Sequence, residues 1–401
     1  TYDARMSDAG PPGDDPFGGI PFLGELMRMF QGQSGGSPDM ARQLARTIAN
    51  DGATEPNVDP VDRLAVEELV RVAEVQVDAA LEVPVARNEA LRVEVHNRTQ
   101  WADRTIVDYT PLFEQLSSSM AGGSGTATDD LPESDPMAAM MAQLGQMLGP
   151  MMLGMTTGSM VGHLARRSLG GYDLPVPRAS DAPVIVLARN VDAFGDEWSL
   201  DRDDLRLWVC LHEIAHHAVL GVPHVRDRLN DLLLRHAAAF ENDPSRLEDR
   251  LGGIDLAAGP EALAELQERL GDPEAILGAV RSPAQEAIQP ELTALVAAIT
   301  GFVDHTMDRI GATLIGSYPM ITEALRRRRV EADQSDRFVE RILGLELDRA
   351  QYDRGAAFAA GVVERAGEDG LARLLDDPTH LPTATEVDAP GLWLARIDLP
   401  D

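Results

Sequence analysis

Residues 211–220 read Leu-His-Glu-Ile-Ala-His-His-Ala-Val-Leu, and the spacing of the polar residues in this run governs the reading of the whole chain. His212 and His216 are one helical turn apart, so on a helix both imidazoles leave the same face and can meet one divalent cation. Glu213 follows the first histidine and can reach a water on that cation, whose proton a carboxylate accepts as the water attacks a carbonyl. Trp208, Val209, Ala215 and Val219 offer the helix an apolar seat. The competing reading is a helix with two hydrogen-bonded core histidines. It is disfavoured because two imidazoles and a glutamate are costly to bury without a metal or partners.

Outward from this motif, Gly221 and Pro223 stop the helix on one side, and Ser199 reads as its N-cap, with Asp201, Asp203 and Asp204 in the first turn. Upstream, Asn190–Glu197 reads as a connector, and Pro183–Arg189 (PVIVLAR) as a short β-branched strand. Leu91–His96 alternates in part and predicts a second short strand. Met40–Asn50 and Pro60–Leu81 carry helical apolar spacing, with Leu64, Leu69, Val72, Val75 and Val77 toward one side of the second. Arg226–Gly370 is mostly helical pattern punctuated by Gly and Pro.

These signals divide the chain into a flexible arm (1–39), a helical N-terminal region (40–116), a flexible loop around GGSGTATDD (117–136), a helical core (137–370) and a Pro-containing surface segment (371–401). Met137–Gly162 is uncharged and Met-rich, but its Gln, Gly and Pro content predicts a buried helix, broken at Pro150, over a membrane span.

Asp and Glu number 66 against 35 Lys and Arg, a net charge of −31. Such a chain repels nucleic-acid backbones and anionic lipid, so neither nucleic acid nor membrane is an expected partner. One cysteine, Cys210, excludes an internal disulfide, and Thr1–Pro16 has no signal-peptide apolar core; a cytoplasmic location is expected. Cys210 faces roughly 160° away from His212 on an ideal helix and reads as packing.

The third metal ligand is open. In the pattern H-E-x-x-H-x-x-G-x-x-H, Gly221 and His224 each fall two residues late, so His224 would need a bend at Gly221 to serve. His217 points about 100° from His216 and reads as no ligand. A later helix can instead supply a glutamate, with an aspartate one turn on that orients a ligand histidine. Glu291–Ile310 is the place for it, and it holds Thr300 and Asp304, followed by His305. His305 reads either as a carbonyl-polarising or metal-binding residue or as a packed one. Arg326–Arg329 reads as a helix face paired with Glu323, Glu331 and Asp333. Tyr318 and Tyr352 are candidate oxyanion donors that nothing in the sequence singles out, and His96, His163, His236 and His380 read as structural.

Three stretches, WVCLHEIAHHAVLGVPHVRDRL, ITGFVDHTMDRIG and ILGLELDRAQYDRGAAF, resemble the zincin-like metallopeptidase type 2 family. The PFGG run and the Met-rich segment ending in GYDLPVP add to the likeness, which covers most of Pro16–Val363. Members carry provisional labels as hydrolases or as proteins associated with deazaflavin-coenzyme biosynthesis. The resemblance implies a mainly α fold, a zincin-like core with a short β element beside the His-Glu-x-x-His helix. It implies one zinc ion on His212 and His216, Glu213 as general base, and a peptide or small amide substrate. The family places Leu-Glu-Gly where this chain has Ile299-Thr300-Gly301, so Thr300 stands in the third-ligand position and Asp304 in that of the orienting aspartate. The ion would then be completed by Asp304, His305, His224 or water. A zincin-fold scaffold or binding protein without catalysis is the alternative expectation, and action on a small cofactor precursor a third.

Overall fold

The computed structural model describes residues 37–81, 91–122, 154–179, 181–240, 281–330 and 334–399. Mostly helical, it is organised around α7 (Arg202–Leu220), the helix of the motif, which is buried on nearly every side. Asp201 caps α7, its side chain accepting from the backbone N–H groups of Asp203 and Asp204. Asp203 and Asp204 lie in the first turn, against the positive end of the helix dipole. The cap is therefore not Ser199. That residue sits in the left-handed region (φ 54°, ψ 44°) and closes α6 (Ala188–Trp198). Residues 190–197 are helical for the same reason α7 is: Ala188, Val191 and Gly195 recur at helical spacing and, with Phe194, turn inward.

Two three-residue strands accompany the helices. β1 (Val93–Val95) pairs in parallel with β2 (Val184–Val186), Val93 opposite Val184 and Val95 opposite Val186. β2 is buried throughout and packs on α7. Its other edge takes the segment 169–171 antiparallel, through Leu187 N–H to Leu169 O (2.8 Å) and Gly171 N–H to Ile185 O (3.1 Å). This small β element fixes the height at which Gly170 and Gly171 pass the motif helix.

The other walls are helical. They comprise α1 (Ser37–Ala49), α2 (Pro60–Leu81), α3 (Arg98–Asp108), α4 (Thr110–Gly122), the helical run 154–167 (α5), α8 (Pro223–Ala238) and α9 (Pro283–Leu314). After them come α10 (Tyr318–Val330), α11 (Gln334–Ile342), α12 (Arg349–Ala372), α13 (Ala384–Asp388) and α14 (Pro390–Ile397). α2 packs on α7 through Val66, Val70, Ala73, Val77 and Leu81. The expected inward side is thus corrected: Leu64 and Val75 are 61% and 64% exposed, and only Val77 of that set is buried, with Leu69 partly so. The helix carries aliphatic residues on two faces, and the face with the small Ala73 is the one that seats against α7.

Three further expectations change. Residues 117–122 belong to α4, where the Ser118 and Ser119 hydroxyls donate to Gln115 O; residues 123–136 lie outside the described ones. Of the Met-rich stretch, 154–162 is helical and packs closely on α1, since a Cβ at Gly158 would fall 2.7 Å from Ala41 O; its part before 154, Pro150 included, lies outside the described residues. Within 371–399, Trp393 is fully buried, edge-on to Phe358 of α12 (centroids 5.4 Å apart), with Leu374 and Val387 also buried. The C-terminal segment is a packed cover, because an indole and several aliphatics there have α12's apolar face to bury against. No described helix is long and apolar enough to cross a membrane.

α9 and α12 cross with their backbones in contact. A Cβ on Gly301 would meet Gly355 O at 2.1 Å, and one on Gly355 would meet Ala297 O at 2.2 Å. This crossing sets the height of Thr300 and Asp304 relative to α7. Gly301→Ala and Gly355→Ala should each cost roughly 1–3 kcal/mol of unfolding free energy through forced separation of the helices. Denaturant titration checks this, and an unchanged midpoint in both variants would refute the contact.

Candidate active site

His212, Glu213 and His216 are all buried and line one cavity of about 90 Å³, beneath α7, α9 and α10 and the segment 168–175. That is room for several waters or for an ion and a small group, not for a folded partner. The imidazoles of His212 and His216 are 4.3 Å apart between centroids. Trp208, one turn before, stacks on His212 at 4.9 Å, and Tyr172 lies parallel to His216 at 6.1 Å. His216 Nδ1 lies 3.1 Å from His212 O, and a carbonyl only accepts, so Nδ1 carries the proton and Nε2 keeps its lone pair. His217 faces away and meets the Tyr172 hydroxyl.

Glu213 is held from the other side. Its Oε2 accepts from Gly171 N–H (2.6 Å) and Tyr172 N–H (3.0 Å), while Oε1 lies 3.5 Å from His212 Nδ1. Only glycine permits this approach: a Cβ at Gly170 would stand 2.2 Å from the Glu213 carboxyl carbon. The turn is pinned in place by Trp101 Nε1–H donating to Gly170 O (2.8 Å) and by buried Arg178 donating to Gly171 O (3.0 Å). Arg178 is in turn ion-paired to Asp108 at 2.5 Å.

The opposite wall comes from α9, α10, α11 and α12. Asp304 lines the cavity, its Oδ2 3.4 Å from Arg329 Nη1. Arg329 lies over the Tyr352 ring at 4.0 Å, and Arg328, 5.3 Å over Phe194, reaches Arg167 O and lies 3.8 Å from Asp173. The expected exposed arginine face is therefore half right. Arg327 pairs with Glu323 at the surface, but Arg328 and Arg329 turn inward; Glu331 and Asp333 lie outside the described residues. Tyr352 belongs to the site, whereas Tyr318 donates to Asp308 and does not line it.

The remaining sequence candidates separate. Thr300 lines the cavity, but its hydroxyl donates back to Val296 O (2.9 Å) and Ala297 O (3.2 Å). His305 faces Glu368 of α12 at 3.0 Å, and His224 lines a different cavity with Arg228, Leu232 and Pro290; neither joins the motif. Cys210 is fully buried, which pushes its thiol up to about 12 and leaves it inert. Among the described residues, no group of three or more His, Cys, Asp and Glu comes together as a ready metal site. Two neutral imidazoles beside a carboxylate still fit a divalent ion held through His212 and His216, its other positions left to water, substrate or Asp304.

Comparison with known proteins bears on the family and the fold. A model of the zincin-like metallopeptidases matches residues 37–394. The chain belongs to the zincin-like metallopeptidase family. Its fold resembles a crystal structure from Chloroflexus aurantiacus, described provisionally as a hydrolase with a novel fold. That likeness has a TM-score of 0.58 at 23% identity over 90% of this chain and 99% of the other. No curated protein matches the chain. The family and the mainly helical fold with its small strand pair are as the resemblance implied.

Sequence reasoning passed over Tyr172, Asp173, Arg328, Arg329 and Glu340 as site residues. Tyr172 and Asp173 sit in the Gly-Tyr-Asp run of the GYDLPVP stretch, a signal that was present. Nothing in the run Arg326–Arg329 distinguishes the inward pair from the outward one.

Burial dominates the titration of the motif. It pushes His212 down to about 4 and His216 to about 3, so both imidazoles are neutral and able to ligate. Burial, then Asp173, pushes Glu213 up to about 8, against the pull of its two N–H donors. A carboxyl raised in the fold stabilises fully below its unfolded value, near 4.5, and that contribution is lost as the pH rises through 8. The depressed histidines act oppositely: their contribution is full above 6.5 and lost as the pH falls through 4 and then 3. Chelator-treated wild type should therefore lose melting temperature between about pH 6 and about pH 9, and Glu213→Gln should lose clearly less. Parallel losses in a pH series of melting curves would show that Glu213 does not titrate in this environment.

Proposed function

We propose that this chain is a zinc-dependent hydrolase of a peptide or small amide bond, with Glu213 as general base. The single observation that carries the reading is the facing of two neutral imidazoles, 4.3 Å apart between centroids, and one anchored carboxylate onto a common walled cavity. Family membership supports it, since zincins generally bind zinc. His212 and His216 would hold the ion, with Asp304 the carboxylate on the facing wall. Zinc supplies Lewis acidity, which makes a water acidic enough to lose its proton near neutral pH.

The chain's own groups account for the rest. Anchored through Oε2 by Gly171 and Tyr172, Glu213 has Oε1 left to receive the proton of an attacking water and later to return it to the leaving nitrogen. Trp208 and Tyr172 hold the imidazole rings by stacking, and the Arg178–Asp108 pair keeps the Gly170–Tyr172 turn from drifting. Arg329, between Asp304 and Tyr352, puts a positive charge on the wall that faces the motif.

One observation favours a second reading. Thr300, in the third-ligand position, satisfies itself on its own helix, and that suits a scaffold which kept the fold without catalysis. The two readings separate experimentally. Protein purified without chelators should carry near-stoichiometric zinc by mass spectrometry, and His212→Ala should lose most of it. Glu213→Gln should keep the zinc and lower turnover of a peptide library by about 100-fold or more. Metal content unchanged by His212→Ala would refute the site. Turnover equal with and without the glutamate would favour the scaffold.

A further inference from the structure

Some arginines elsewhere in this chain are locked by two-pronged carboxylate pairs. Arg206 grips Asp192 at 2.8 and 2.7 Å, Arg46 grips Asp103 at 2.9 and 2.7 Å, and Arg354 grips Asp388 at 2.6 and 3.0 Å. Arg328 and Arg329, two of the cavity's three arginines, differ. Arg329 approaches Asp304 by one contact at 3.4 Å, and Arg328 approaches Asp173 at 3.8 Å. Each planar fork is oriented instead by an aromatic ring beneath it, Tyr352 or Phe194. Arg328 spends one edge on Arg167 O, whereas Arg329, stacked on Tyr352 with a single long contact to Asp304, keeps fork donors for an incoming oxyanion.

Two other features of the wall agree. Trp208 lines the cavity, and its Nε1 is buried without an acceptor among the described residues; an indole N–H can only donate. A second cavity, of about 450 Å³, shares Arg329, Glu340 and Leu347 with the first and adds Arg281, Arg337 and Arg341. In a chain of net charge −31, this second cavity gathers arginines against Glu340, Glu346 and Asp348, with Arg281 paired to Glu346.

We propose that Arg329, with Arg328, binds a carboxylate of the substrate close to the scissile bond, so that the preferred substrate is a small amide or short peptide ending in a free carboxylate. The inference rests on the hydrolase reading for the bond but not for the anion site. Asp173 and Asp304 beside the guanidiniums leave little excess positive charge, which suits a singly charged carboxylate over a doubly charged phosphate.

The test is calorimetric binding of N-acetyl-dialanine, its C-terminal amide and inorganic phosphate to the full-length protein as purified. The free acid should bind at least about tenfold more tightly than the amide. Arg329→Gln should bring the acid to the level of the amide, and Arg329→Lys, which keeps charge without the fork, should restore part of the preference. Arg327→Gln, at the exposed Glu323 pair, should leave it intact. Should Arg329→Gln not fold, by its melting curve, Arg329→Lys against Arg327→Gln carries the comparison. Equal or undetectable binding of acid and amide, a preference that survives in the Arg329 variants, or phosphate displacing the acid at lower concentration would each overturn the proposal. Acid-selective binding without any cleavage would sink the hydrolase reading alone. Cleavage of acid and amide at equal rates would sink only the carboxylate site.

Discussion

A carboxylate, Glu213, sits 1% exposed in the middle of a helix that is itself walled in, and the surrounding architecture answers that burial. Two backbone N–H groups of the 170–172 turn take one of its oxygens, and the turn can come that close only because residues 170 and 171 lack side chains. β2 holds the turn by its edge, Trp101 holds a carbonyl and Arg178 holds the next. An uncompensated carboxylate at this depth would cost several kcal/mol. The small β element is therefore a fixture for the motif helix more than a structural layer of its own.

The motif's second constraint is that two imidazoles must remain neutral and correctly turned inside a protein rich in acid. Burial supplies the neutrality, and stacking on Trp208 and Tyr172 supplies the orientation. Arg328 and Arg329 across the cavity add to the depression of His212. The same two cations approach Asp173 and Asp304, at 3.8 and 3.4 Å. Burial, then Asp348, pushes the Glu340 carboxyl up to about 7 against the pull of Arg167 and Arg337, so part of its negative charge is suppressed near neutral pH.

The geometry of α9 comes from packing. At Gly301 and Gly355 the two longest described helices touch backbone to backbone, which draws α9 to a depth where Thr300 and Asp304 look onto the motif. The resemblance named these two positions from their place in the chain. It did not contain the fate of their side chains: Thr300 turned to its own helix, Asp304 drawn toward Arg329.

The motif helix, with His212 and His216 on one face of it, was legible because local spacing encodes it: a four-residue interval is one turn wherever the helix lies. Both strands were legible as well, from β-branched content, and so was the family. The boundary between α6 and α7 was misread because Ser199 is a fair cap by type, while the backbone turned left-handed there and left capping to Asp201. The inward face of α2, the packed C-terminal cover and the inward arginines were beyond local reading, since each has two plausible faces and the choice depends on what stands opposite. What the sequence determined by itself was which groups can do chemistry, through covalent order and helical period. Which of them meet, and what charge surrounds them, was decided by tertiary packing, because burial, stacking and ion pairing act between residues far apart in the chain.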